Sequence, residues 1–177
     1  MKARALVLHM KVINVHQRTV KAPASEVGKL LDRLSSLSDP FWPCEHWPKM
    51  TLRPELAVGA IGGHGPIRYV VQDYTRGKRI KFRFTGPTGF RGWHSLEVEE
   101  VSERSARLKH TIEMDTKGVA VILWPLVFMP LHDALVEDAL SKAQRSLGET
   151  PQRNNWSFRV KALRWLISRL ARRRNST

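Results

Sequence analysis

The sequence predicts an α+β domain in which a curved antiparallel β-sheet wraps around a long helix near the C-terminus, with an extra basic amphipathic helix after it. Two observations carry this. Between Ile67 and Thr116 apolar and polar residues alternate with period two across evident turns, and from Lys117 the apolar period becomes helical. A third point is physical. An antiparallel sheet cannot leave its apolar face in water, and the long helix is the one element large enough to cover it. At 177 residues, 42% hydrophobic and 26% charged, the chain suits one globular domain that buries a core without staples. Residues 1–149 are assigned to that domain and 150–177 to the basic tail.

The elements follow in order. Val12 to Val20 alternates and is rich in β-branched residues, so it is a strand. Pro23 suits a first helical turn, and Val27, Leu30, Leu31 and Leu34 recur at helical spacing, which predicts a short amphipathic helix over 24–34. Residues 35–49 are aromatic and broken by prolines, giving a helical turn plus loop. Met50 to Arg53 is a brief strand, and Leu56 to Pro66, with four glycines, is a loop. Ile67 to Tyr74 and Arg79 to Thr85 form a hairpin with Gly77 in its turn. Gly92 to Val101 and Ala106 to Thr116 form a second. One long helix is expected over 119–147, its start bent or delayed by Pro125 and Pro130 and its end marked by Gly148. A polar linker and a last helix, Trp156 to about Arg172, complete the chain.

Composition excludes several classes. The single cysteine, Cys44, rules out an intramolecular disulfide framework and a Cys-rich zinc module, and fits a reducing cytosol. Met1 to Met10 does not read as a signal peptide. The uncharged stretch Gly118 to Leu131 is too short to span a bilayer. A cytoplasmic protein is therefore expected, at most peripheral to the inner membrane surface. Of the net charge of +14, eight units lie beyond Glu149, where no acid remains, so any partner argument from charge concerns mainly the tail.

The opening VINVHQRTVKAPASEV, a strand followed by Pro-Ala-Ser-Glu-Val, and the GWHSLEVEEV and ARLKHTIEMDT strands ahead of a long helix carry a resemblance. Over residues 11 to 148 the chain resembles the helix-grip fold of the START, birch-pollen-allergen and polyketide cyclase superfamily. The resemblance implies a cavity between sheet and helix that takes a hydrophobic small molecule. It gives fold rather than activity.

Strand parity assigns faces. Leu108, His110, Ile112 and Met114 share one face of the last strand and should meet the helix. Leu96, with His94, points the same way, as do Phe82 and Phe84. Tyr69 is the better choice for its strand, although Arg68, Val70, Gln72 and Tyr74 compete. With Trp124 and Phe128 from the helix, these residues form the expected ligand-binding set, and filling a solid core is the alternative role for all of them. If hairpin partners sum to about 207, His94 opposes Glu113 and His110 opposes Glu97, which keeps the two histidines apart. Phe41, Trp42 and Trp47 are expected to cap the core or gate a cavity, while Cys44 and His46 lack the surroundings of a nucleophilic pair. The glycines at 59, 62, 63 and 65 match no phosphate-binding spacing. Asp133 and Glu137 share a helix face from which His132 points away. A solvated acidic face, pairing with basic strands or the tail, is expected there, and no metal or cofactor.

In the tail, Trp156, Val160, Leu163, Ile167 and Leu170 form an apolar stripe with basic residues largely off it. Three readings stay open. The helix lies on an anionic membrane through Trp156, Arg159, Lys161, Arg164, Trp165 and Arg169; it packs on the domain; or it binds nucleic acid, which the absence of a reading motif disfavours. The first functional expectation is a non-catalytic binder or carrier of a lipid or polyketide-like molecule, with no catalytic residue. Its rival, implied by the resemblance, is a cyclase or dehydratase, for which His94, His110 or Tyr69 are the candidates for acid or base.

Overall fold

Strand β1 (His9–Val20) pairs along its whole length with the last strand, β7 (Ser105–Lys117), from His9 opposite Lys117 to Val20 opposite Ala106. The computed structural model describes residues 8–151 and 154–174, with side chains described as far as Arg169. Between those two strands in the chain come α1 (Ala24–Asp32), β2 (Thr51–Arg53), β3 (Ile61–His64), β4 (Ile67–Thr75), β5 (Arg79–Gly86) and β6 (Phe90–Ser102). The seven strands form one antiparallel sheet in the order β1-β7-β6-β5-β4-β3-β2. The long helix follows as α2 (Ala120–Leu123), a π-turn (Trp124–Phe128) and α3 (Met129–Ser146), with α4 (Phe158–Arg174) last. This is the helix-grip architecture.

Two details of the sheet differ from the sequence expectation. Strand β3 lies inside the segment expected to be loop. Its glycines serve close strand approach rather than flexibility: a Cβ on Gly62 would stand 1.9 Å from the Thr51 carbonyl oxygen, and one on Gly63 2.0 Å from that of Ile67. In β4 the register shifts between Val71 and Asp73. This irregularity lets Tyr69 and Val71 be buried while Tyr74 also packs on the core, so the competing parities are both partly right.

The β4–β5 turn is held against α1. A Cβ on Gly28 would meet the Gly77 carbonyl oxygen at 2.3 Å, so helix and turn touch backbone to backbone. Asp32 Oδ1 accepts from the Tyr74 hydroxyl at 2.8 Å and from the Gly77 amide at 2.7 Å.

The long helix starts near the expected place, but the two prolines act inside it. The Met129 amide bonds the Trp124 carbonyl, the five-residue step of a π-turn. Pro130 has no N–H, so the turn before it is one helical donor short. Arg159 Nη2, from α4, donates to the Pro125 and Leu126 carbonyls, at 2.8 and 2.9 Å. The united helix Ala120–Ser146 is 27 residues, long and apolar enough by length and composition to cross a bilayer, which the shorter charge-free stretch did not suggest. Here its Leu135, Val136, Ala139, Leu140 and Ala143 face is buried in the core.

Candidate functional site: a histidine-lined cavity

A cavity of about 440 Å³ lies between the sheet and the long helix, within the range of small-molecule sites. Of the expected ligand-binding set, Phe84, His94, Leu96, His110, Ile112, Trp124 and Phe128 line it. Tyr69, Phe82, Leu108 and Met114 are buried but do not reach its wall. For these four the solid-core role is what the structure shows. Tyr69 and Phe82 do support the wall, since Phe82 stacks on the His94 ring at 4.7 Å and Tyr69 meets it edge-on at 5.1 Å. Phe41, Trp42 and Trp47 close one end, as expected of the aromatic segment.

The histidines are arranged differently from the expectation. Partners in the β6–β7 hairpin sum to 206, not 207, so His94 faces Ile112 and His110 faces Leu96. That one-residue difference makes them diagonal neighbours on the inner face, with rings 5.5 Å apart. His132 of α3 adds a third ring 4.9 Å from His110, and His64 of β3 also lines the cavity. Strand parity finds neither: His64 falls in a segment that reads as loop, and His132 lies on a helix, out of phase with Asp133 and Glu137. His94 Nε2, His110 Nδ1 and His132 Nε2 are buried without a protein hydrogen-bond partner. Burial holds the imidazoles neutral: His64 falls to about 3, and His94 and His110 lie well below their ordinary value.

Behind His132 stands an ionic cluster. Asp133 Oδ1 accepts from His132 Nδ1 at 3.4 Å, His16 Nε2 at 3.1 Å and Asn14 Nδ2 at 3.0 Å. His16 Nδ1 faces Glu137 Oε1 at 2.8 Å, and Arg18 donates to Glu137 Oε2 at 2.6 Å. A carboxylate at each nitrogen favours the protonated form of His16. The Asp133 bond raises its pKa most, against desolvation, and Glu137 adds to the rise. Burial pushes Asp133 upward, but its bonds from His132 and His16 outweigh that and hold the carboxyl well below its ordinary range. Strand β1 therefore turns Asn14, His16 and Arg18 towards the helix and leaves Ile13 and Val15 exposed. The acidic helix face is paired with a basic strand rather than solvated. His16, His132 and Asp133 bring possible ligand atoms within 4.8 Å of one another, yet these atoms already satisfy each other as an ion cluster.

Helix α4 contributes to the cavity wall. Arg164, Ile167 and Ser168 line it, and the Arg164 guanidinium sits over the Trp47 and Trp156 rings at 4.3 and 4.2 Å. Asp138 Oδ2 accepts from both indoles, Trp47 at 2.8 Å and Trp156 at 2.9 Å. Of the residues expected to touch a membrane, Trp156, Arg159 and Arg164 are thus engaged with the domain, and Lys161, Trp165 and Arg169 are exposed. Leu170 and Arg172 to Arg174 lie outside the residues whose side chains are described.

Cavity, gripped helix and covering tail together define a helix-grip protein with a chamber between sheet and helix. No protein-family model and no curated protein matches the chain. Among solved structures it is similar to norcoclaurine synthase from Thalictrum flavum, in complex with dopamine and hydroxybenzaldehyde, at 15% identity and a TM-score of 0.59 over 81% of this chain and 91% of that one. It is also similar to a Thermobifida fusca protein solved in solution, at 19% identity and 0.57 over 80% and 99%. A third, an uncharacterized Rhizobium leguminosarum protein, matches at 12% and 0.56 over 81% and 98%. At these identities the likeness is one of fold.

Proposed function

We propose that the protein binds a small, largely apolar molecule carrying hydrogen-bonding oxygen or nitrogen atoms in the cavity between sheet and helix. One observation carries this: His94, His110 and His132, each with a buried ring nitrogen that has no protein partner, stand together in a cavity wall otherwise made mainly of aromatic and aliphatic groups. An unsatisfied buried polar group costs about 1–3 kcal/mol, which a ligand that reaches it recovers. A purely hydrocarbon ligand would leave that cost standing, so the reading narrows the lipid or polyketide-like class to its oxygenated members. The likeness in fold to an enzyme whose solved complex holds two small aromatic compounds supports a chamber of this kind. Displacement of anilinonaphthalene sulfonate, with native mass spectrometry of protein taken from its own host, tests the reading. Ile112→Phe, which fills the chamber from β7, should abolish dye binding while the circular dichroism spectrum persists. Unchanged dye binding in that variant would count against the cavity as the site.

A peripheral contact with an anionic lipid surface is a second proposal, on a separate observation. Val119, Ile122 and Leu126 at the start of the long helix, and Trp165 and Leu166 on basic α4, are exposed apolar side chains. Cytoplasmic residence at the inner membrane surface belongs to the same proposal.

A further inference from the structure

We infer that the outer face of the sheet carries a second binding site, a hollow at its β2–β4 end where Lys49, Arg53 and Arg68 hold a phosphate-type oxyanion. This site does not depend on what the chamber binds.

The hollow measures about 380 Å³, and Lys49, Thr51, Arg53, Gly63 and Arg68 are among the residues that wall it. Cross-strand register makes it. Thr51 of β2, Gly63 of β3 and Arg68 of β4 stand side by side, and Arg53 stands opposite Ile61 in the next row on the same face. Gly63 has no side chain, so the floor between Thr51 and Arg68 is left open. A Cβ on Gly63 would lie 3.1 Å from Arg68 Nη1, which places the guanidinium over that floor. Arg68 Nη1 donates to the carbonyls of Gly65 and Ile67, at 2.7 and 2.8 Å. These bonds brace the guanidinium and leave the N–H groups of Nη2 and Nε for a ligand. A planar fork held in this way suits the oxygens of a phosphate, beside which a lysine acts as a point charge.

Charge points the same way. Elsewhere on this face cations stand beside acids: Arg107 and Lys109 by Glu99, and Lys11 by Glu113. Among the described residues, Lys49, Arg53 and Arg68 join no ion pair, and no acid lines the hollow. Three like charges around one hollow repel each other, and a bound anion relieves that repulsion. A phosphate monoester, with a charge of about −1.5 to −2 at neutral pH and several acceptor oxygens, matches them. This group reaches a protein either on a soluble ester or on a lipid headgroup.

Titration of nitrogen-15-labelled protein with inorganic phosphate, against sodium chloride of equal ionic strength, tests the site. Phosphate should shift the Gly62 and Gly63 amides saturably, together with the ring of His64, which lines both hollow and chamber. Lys49→Glu combined with Arg53→Glu changes two exposed side chains and should weaken phosphate binding at least about 10-fold, the loss of charged hydrogen bonds, with dye displacement little altered. Co-sedimentation separates the sources, using phosphatidylcholine vesicles doped with phosphatidic acid or, at equal surface charge, phosphatidylglycerol. A preference for phosphatidic acid that the double variant loses assigns the group to a headgroup; no such preference, with phosphate binding intact in the parent, assigns it to a soluble ester. Shifts that chloride reproduces, or equal phosphate affinity in parent and double variant, overturn the site.

Discussion

Acidification from pH 7 to pH 5 should unfold this protein before its carboxylates begin to titrate. His64, His94 and His110 stay neutral in the folded state because they are buried, with the neighbouring imidazoles, Arg68 beside His64 and His16 beyond His110 adding unfavourable positive charge. In the unfolded chain each returns to about 6.5 and takes a proton. Because the folded values are depressed, the stability these groups confer is complete above 6.5 and is lost as the pH falls. An imidazole neutral when folded and free to protonate when unfolded loses about 2 kcal/mol by pH 5, and three lose about 6 kcal/mol, comparable to the whole stability of a typical domain. His132 acts in the same direction, less strongly because its bond to Asp133 opposes the effect of burial. His16 acts oppositely: with its folded value raised, its contribution is lost as the pH rises through the folded value and is complete below about 6, so it partly offsets the loss between pH 7 and 6 and adds no slope further down. Urea titrations followed by tryptophan fluorescence at pH 7, 6 and 5 measure the slope. His94→Phe, placing a third phenyl between Phe82 and Phe84, should remove about a third of it. Stability that stays flat down to pH 5, or a slope unaltered by His94→Phe, would refute the reasoning.

Further expectations concern packing and the tail. Gly28→Ala places a methyl where the Gly77 carbonyl stands and should lower stability by about 1–3 kcal/mol, read as a fall in Tm. Arg164→Ala removes two cation–π contacts of about 0.5–1 kcal/mol each, and should speed release of a bound dye by loosening α4 over the chamber. Ile122→Asp together with Leu126→Asp should weaken co-sedimentation with anionic vesicles at low salt and leave dye binding intact. Equal sedimentation of variant and parent would remove the lipid-surface proposal.

The sheet, its hairpins and the long helix were legible because period two and period 3.6 are written plainly between Ile67 and Leu147. What escaped had physical reasons. Strand β3 hid behind glycines, which are a loop signal in a sequence but here permit backbones to meet. Phe84, Leu96 and Ile112 of the cavity wall were readable by parity, whereas His94 and His110 were separated by a register error of one residue, which parity alone cannot detect. His16 and Arg18 followed the same rule in reverse: β1 turns its polar side inward because α3 offers Asp133 and Glu137, and while pairing of that acidic face with a basic strand was expected, the strand itself is named only by the tertiary arrangement. The signal that could have found the site was the count of histidines on inward positions, at 64, 94, 110 and 132, considered together rather than one at a time.

The guanidinium that repairs the proline bend has a consequence for reading other chains of this kind. Positions 130 and 159 are bound by a shared debt of backbone valence, though twenty-nine places apart. An amide regained at 130 would serve one of the two carbonyls at the bend and lessen the need for arginine at 159; loss of the arginine first hands both carbonyls to water. Paired change at those two places, in that order, is the trace such a history would leave.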